Sequence, residues 1–340
     1  VPNASELETY LRSHCPLSVA EYMRHCVAQY YASHDPFGSS GDFTTAPEIS
    51  QIFGELVGAW LAQMWQQSGA PKAALLCELG PGRGTLMQDA LRATRKVAGF
   101  QDALRIVMVE NSPLLRSMQQ ERLKDSHPRI TWQESLEGLP ALPLFLIANE
   151  FFDALPIHQY VAGAGGQQER MVIAATQGFA WSPEGQVIRE TSPESQAIVA
   201  RIARHIAAHR GAALIIDYGY AVESHSDTLQ ALCKHQFTPP LESPGDSDIT
   251  AHVDFRTLMQ TVNTGGACAW GVETQGTFFK RLGAQWRAQA LCRNQPIEKQ
   301  QSILSGLERL VAPHHMGELF KVMAITSLSD RWALDKPPGF

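Results

Sequence analysis

Leu75-Leu76-Cys77-Glu78-Leu79-Gly80-Pro81-Gly82-Arg83-Gly84-Thr85 decides the fold. Leu75 to Leu79 is too short for a helix and too apolar for an exposed strand, so it predicts a buried strand. Leu86, Ala90 and Leu91 then follow helical spacing. Between them, glycines at 80, 82 and 84 permit positive φ where the chain reverses, and without Cβ atoms they let a ligand lie against the backbone.

Two ligand families use such a turn. A dinucleotide fingerprint has G-x-G-x-x-G spacing and a helix N-terminus facing pyrophosphate. Here the third glycine comes one residue early and Glu78 stands just before the turn. A carboxylate there repels an anion and attracts a ligand carrying an ammonium and a sulfonium. The stretch resembles the first motif of the class I methyltransferases that bind S-adenosylmethionine, with a generic nucleotide-binding or purely structural turn still open at this point.

At 340 residues and 44% hydrophobic, the chain is long enough for one catalytic domain with sizeable additions. Lys+Arg 28 against Asp+Glu 34 gives a net charge of -6 without a basic run, which argues against nucleic acid as the main partner. No uninterrupted apolar stretch reaches membrane-spanning length. Val1-Pro2-Asn3-Ala4-Ser5 has no basic n-region or apolar h-region, and the missing initiator Met predicts that the numbering begins inside a longer product. The six cysteines lack a C-x-x-C pair, pointing to a reducing compartment. His205 and His209 are four apart, but Ile206 stands where a zinc protease needs Glu, so no metal is expected.

Up to about Gly69 the pattern is mainly helical. Ser18 and Glu21 predict a capping box, as do Thr45 and Glu48 with Pro47 in the first turn, and Glu48 is open to a substrate-binding reading as well. Between these boxes lies a Gly/Ser/Pro-rich loop, residues 35–41. From Ala73 to about Tyr160, strand and helix alternate, as in a parallel sheet covered on both faces. Leu104 to Val109 ends in Glu110, placed to accept hydrogen bonds from both ribose hydroxyls of a nucleoside, or else a solvated strand end. Arg129 to Gln133 leads to Glu134-Ser135, which can meet an adenine edge. Leu144 to Ala148 delivers Asn149-Glu150-Phe151-Phe152-Asp153, carboxylates to grip a cation and rings to exclude water. The bland alternative has Asn149 and Asp153 capping a turn while the phenylalanines fill core.

Ile157 to Trp181 reads as one β-hairpin turning at Gly163 to Gly166, followed by a helix through Ile198, Ile202 and Ile206 and a fifth strand, Ala212 to Ile216, ending in Asp217. Ala221 to Ile249 reads as a long surface loop or lid. A helix (Asp254 to Val262), a strand (Ala267 to Thr274), a helix pair (Phe278 to Leu310) and a last strand (Glu318 to Ser327) complete a seven-strand count.

Taken together, the chain resembles the MidA family, relatives of the mitochondrial complex I assembly arginine methyltransferase. The resemblance rests on Gly41 to Glu55, Glu78 to Leu86, Asn149 to Pro156, Asp217-Tyr218-Gly219, Asp248 to Phe255 and Met316 to Phe320. It departs from the family where Ala28-Gln29 runs straight into Tyr30-Tyr31 without the usual Asp-Pro turn and glycine. The resemblance implies an α/β fold with a Rossmann-like class I methyltransferase sheet, mostly parallel, an N-terminal helical cover (1–70), and a catalytic domain (71–330) with insertions at about 157–182 and 221–249. It implies S-adenosyl-L-methionine held by Gly80, Gly82 and Glu110, with the Asp42 to Glu48 loop closing over it, and Thr45, Glu78, Gly84, Glu134, Ser135 and Asn149 are the further cofactor-binding candidates of the sequence reading. The implied substrate is an arginine of a partner protein, a respiratory complex I subunit in mitochondrial members, with the oligomeric state open.

Arginine is a poor nucleophile because its charge is delocalised and its pKa exceeds about 12. A carboxylate pair that fixes the guanidinium can bias its charge away from the attacking nitrogen. Glu150 is the candidate, with Asp153 or Glu48 as partner. Two other classes compete: a cofactor-binding assembly factor or chaperone without transfer, and a small-molecule methyltransferase.

Overall fold

The decisive apolar run forms β1 (Ala74–Leu79), buried over its whole length. The computed structural model describes residues 4–33, 44–163, 165–222, 227–233, 235–328 and 336–340. Beside β1 run β2 (Leu104–Val109), β3 (Ile130–Gln133), β4 (Leu144–Asn149), β5 (Gly211–Tyr220), β6 (Ala267–Thr274) and β7 (Phe320–Ser327). The main path of the sheet is β6-β7-β5-β4-β1-β2-β3. β1 pairs in parallel with both β2 and β4, while β7 runs antiparallel to β5 and β6. The chain therefore walks outward from β1 to β3, then jumps back across β1 to β4. That jump makes the carboxyl end of β1 a topological switch point, where open parallel sheets hold their ligands.

Contacts gather the chain into two units. The sheet unit takes Thr45–Phe151, Ile198–Gly219 and Thr257–Phe340. Its core joins Phe53, Trp60, Leu76, Ile106, Phe145, Leu214 and Phe279. The helix α1 (Ala46–Ile49) leads into α2 (Gln51–Gln67), which packs on α3 (Thr85–Thr94). Gly54 and Gly58 make that approach possible: a Cβ on Gly58 would lie 2.6 Å from Ala90 Cα, and one on Gly54 would lie 2.7 Å from Asp89 Cβ. Glu55, between them, is buried and accepts from Arg287 at 2.7 and 3.0 Å, Arg92 at 3.0 Å and Gln51 at 3.1 Å. Burial pushes its pKa up, but the two guanidinium groups outweigh this and hold it below the usual carboxylate range.

The other unit gathers Val1–Thr44, Phe152–Ala197 and Tyr220–Arg256. The helices Ala4–His14 and Val19–Ser33 share a core of Leu11, Tyr22, Met23, Ile157, Val172 and Ile249. The Ser18–Glu21 capping box forms as expected: Glu21 N–H donates to Ser18 Oγ at 3.1 Å and Ser18 N–H to Glu21 Oε2 at 2.8 Å. Ala28 to Tyr31 continue the second helix without a turn.

Several boundaries differ from the sequence reading. The chain's units divide after Thr44 instead of near residue 70, so α2 belongs with the sheet. Residues 157–182 form more than one hairpin: His158–Gly163 pairs Gly166–Glu169, and Met171–Ala174 pairs Phe179–Ser182 in another sheet. Instead of an open loop, 221–249 holds a small antiparallel sheet of Gln230–Cys233, Gln236–Thr238 and Asp248–Thr250. The expected helix pair is three helices, Gln275–Arg281, Ala284–Cys292 and Ile297–Val311, broken first at Gly283 with φ +84. Residues 35–41, and Asp42 and Phe43 of the closing loop, lie outside the described residues.

Candidate functional site

Every parallel strand of the sheet unit delivers polar groups at one edge. After β1, Gly80, Gly82 and Gly84 take φ of +58, +54 and +77, conformations costly for any residue with a Cβ. Gly80 N–H donates to Val109 O at 3.0 Å, and Gly84 N–H to Pro81 O at 2.8 Å, which folds the turn back onto β2 and starts α3. A Cβ on Gly80 would lie 2.9 Å from the ring of Phe151.

Glu78, on β1 just before the turn, is 3% exposed, and its Oε2 has no hydrogen-bond partner among the described residues. Burial, and then the charge of Glu110, push its pKa well above the usual carboxylate range. Asn149, at the end of β4, likewise buries its Oδ1 without a partner. An orphaned buried acceptor costs roughly 1–3 kcal/mol, so two at one edge, without a donor among the described residues, suit a ligand that brings one.

Glu110 is mostly buried. Its Oε1 accepts from Ser112 N–H at 2.8 Å and its Oε2 from the Gln119 amide at 3.0 Å. Burial raises its pKa, a rise opposed by the Ser112 and Gln119 donors. Glu134 and Ser135, beyond β3, are both exposed, and Ser135 Oγ accepts from Glu137 N–H at 3.2 Å in a local turn.

The Thr45–Glu48 capping box does not form. Thr45 is buried and caps α1 only with its backbone: its carbonyl accepts from Glu48 N–H at 3.0 Å and its side chain makes no cap bond. The Glu48 carboxylate instead accepts from the Thr85 hydroxyl, the first residue of α3. Ser50, unnoticed in the sequence, caps α2 by accepting from Ile52 N–H at 3.3 Å. Glu150 holds the other end of this segment: its Oε1 accepts from Ala46 N–H at 3.2 Å and from Asn149 Nδ2 at 3.1 Å. Its own φ is +50, a left-handed conformation that a non-glycine residue adopts at a cost of order 1–3 kcal/mol. The turn is braced by buried Asp217 on β5, whose Oδ2 accepts from Phe151 N–H at 3.1 Å. Glu48 and Glu150 are thus brought to the edge that carries the glycine turn. Asp153 lies in the other unit, buried, its carbonyl accepting from Ala251 N–H at 2.9 Å.

Among the described residues no group of His, Cys, Asp and Glu could hold a metal, and no helix is long and apolar enough to cross a membrane. His205 and His209 pack ring to ring at 4.9 Å, and the His205 ring nitrogen donates to Leu142 O at 2.9 Å. All six cysteines are free thiols.

Residues 56–272 match the model of the family described as "Putative S-adenosyl-L-methionine-dependent methyltransferase". The chain belongs to this methyltransferase family. A Drosophila melanogaster relative, named a mitochondrial protein arginine methyltransferase NDUFAF7 homolog, is 37% identical to the enzyme over 371 residues, covering 95% of this chain and 84% of that protein. The Homo sapiens protein arginine methyltransferase NDUFAF7, mitochondrial, is 33% identical, covering 95% and 83%. The methyltransferase also superimposes with a TM-score of 0.83 on a COG1565 superfamily member from Burkholderia thailandensis bound to S-adenosyl-homocysteine, at 26% identity and with 96% and 94% of the chains covered. With the sheet and the glycine turn, these findings bear out the MidA-type resemblance and make S-adenosylmethionine the enzyme's methyl donor. Thr85 and Gln119 carry no local signal of the distant partners they meet, whereas Ser50, just ahead of an apolar helix, is a local N-cap signal that the Thr45–Glu48 spacing obscured.

Proposed function

We propose that the enzyme methylates an arginine side chain of a partner protein, a respiratory complex I subunit being the class the family resemblance implies, in a reducing compartment. The bound cofactor supplies a methyl group on a sulfonium sulfur. The residues present suit it: Glu78 Oε2 and Asn149 Oδ1 offer buried, unsatisfied acceptors for its ammonium, and Glu110 offers a carboxylate for its ribose hydroxyls. Thr45 and the three glycines complete the proposed cradle, with Glu134 and Ser135 nearest the base.

One observation carries the substrate assignment. Two carboxylates from separate parts of the chain, Glu48 and Glu150, are pinned at the glycine-turn edge through Thr85 and Ala46. A pair of carboxylates beside a methyl-transfer site suits a guanidinium, which they orient by charge-assisted hydrogen bonds and polarise toward one nitrogen. The names of the relatives, protein arginine methyltransferases, agree with that chemistry.

The test pairs calorimetry with mass spectrometry. The purified enzyme should bind S-adenosylmethionine, and a co-expressed partner should gain the mass of one or two methyl groups on an arginine. Glu150→Gln should keep cofactor affinity within about threefold and lower transfer by about 100-fold or more. An unmodified partner would support a chaperone role, and modification of a small molecule alone would move the enzyme to another substrate class.

A further inference from the structure

Gln119, on the helix α4 (Pro113–Leu123), is completely buried, in line with Leu115 and Leu123 on the inward face of the helix. All of its polar capacity is directed at the cofactor edge. Its Nε2 donates to Gly82 O at 2.7 Å and to Glu110 Oε2 at 3.0 Å, while its Oε1 accepts from the Trp132 indole N–H at 2.9 Å. The amide orientation follows from these partners: an indole can only donate, and a carbonyl and a carboxylate can only accept, so the flipped amide would lose all three bonds. One side chain thus joins the glycine turn, the end of β2 and β3. Its Cγ also approaches the position a Cβ on Gly84 would take, at 3.5 Å.

We infer that Gln119 is the positioning residue for ribose recognition. It locks the Glu110 carboxylate against the Gly82 carbonyl, so that the acceptor for a vicinal diol is set before the ligand arrives. Glu110 is anchored on both oxygens, by Ser112 N–H on Oε1 and by Gln119 on Oε2. Without Gln119 the carboxylate keeps only the backbone donors of Asn111 and Ser112 and loses its side-chain brace, and the turn loses its link to β2 through this side chain. A preorganised acceptor binds more tightly than one that must be ordered on binding. The inference rests on the placement of the ribose at Glu110 in the proposed function.

The probes are S-adenosylhomocysteine and its 2′,3′-dideoxyribose counterpart, with binding measured by calorimetry on the full chain. Wild type should prefer the diol by about 100-fold, the scale of two hydrogen bonds to a charged acceptor. In Gln119→Leu, which keeps the apolar volume, that preference should fall below about 10-fold. A residue that serves only folding would weaken both ligands alike and leave their ratio unchanged. Gln119→Met, which keeps the length of the side chain and removes the amide that reaches Gly82 and Glu110, should lower the ratio in the same direction and serves if Gln119→Leu does not fold. A wild-type ratio preserved in the variants overturns the role of Gln119. The absence of any diol preference in wild type overturns the ribose placement itself.

Discussion

Cofactor binding should release a proton, and Glu78 is its source. The carboxyl is buried beside Glu110, and burial first, then that like charge, raises its pKa well above the ordinary range. Ligand-free enzyme thus keeps a proton that the unfolded chain has already lost. The stability of the ligand-free form is greatest below the unfolded carboxylate pKa and falls as pH rises toward the folded value, by about 1.4 kcal/mol per pH unit for one proton. An ammonium at Glu78 reverses the preference, since it favours the ionised form. Affinity for S-adenosylhomocysteine should therefore strengthen by about tenfold per pH unit until the ligand-free pKa is passed. Titration calorimetry in two buffers of different ionisation enthalpy counts the protons: release should be seen between the ligand-bound and the ligand-free pKa of Glu78 and should vanish at higher pH. Glu78→Gln should abolish most of the release and flatten the pH dependence. Equal heats in both buffers for wild type, or an unchanged proton count in Glu78→Gln, would refute the assignment of the ammonium to Glu78.

Two further expectations concern the scaffold. Glu55→Gln removes the charge that Arg92 and Arg287 share; because both guanidinium groups are partly exposed and can resolvate, the loss in urea denaturation should be about 2 kcal/mol. Since the Glu55 pKa is lowered by its partners, this contribution is present above the ordinary carboxylate pKa and is lost as pH falls through the depressed value, so the gap between variant and wild type should close in acid. Gly58→Val drives a side chain into the Ala90 backbone and should cost about 3 kcal/mol or more, measured by the same denaturation.

The centre of the sheet was legible because β1, β4 and the first half of β5 are buried on both faces and so appear as apolar runs. Leu104–Val109 and Ala267–Thr274 fall where the sequence places them, and β1 and β4 are each one residue longer. Glycine spacing and Glu78 likewise mark the turn locally. What failed was whatever depends on distant partners. Thr45 and Glu48 have the right spacing for a capping box, yet a hydroxyl from α3 takes the Glu48 carboxylate, and no local pattern reveals that competition. The segment 221–249 is polar and proline-rich, so its strands, which are stabilised by pairing with one another and by a core shared with the N-terminal helices, leave little periodic trace. Gln119 falls at helical spacing between Leu115 and Leu123, which marks its burial, but nothing local reveals that Gly82, Glu110 and Trp132 are its partners.

The most direct measurement is a crystal structure of the enzyme with S-adenosylhomocysteine. Its amino group should lie within hydrogen-bond distance of Glu78 and Asn149, and its ribose hydroxyls on Glu110 above the glycine turn. Density for the ligand at any other edge of the sheet, with Glu78 still unpartnered, would contradict the proposed site and the chemistry built on it.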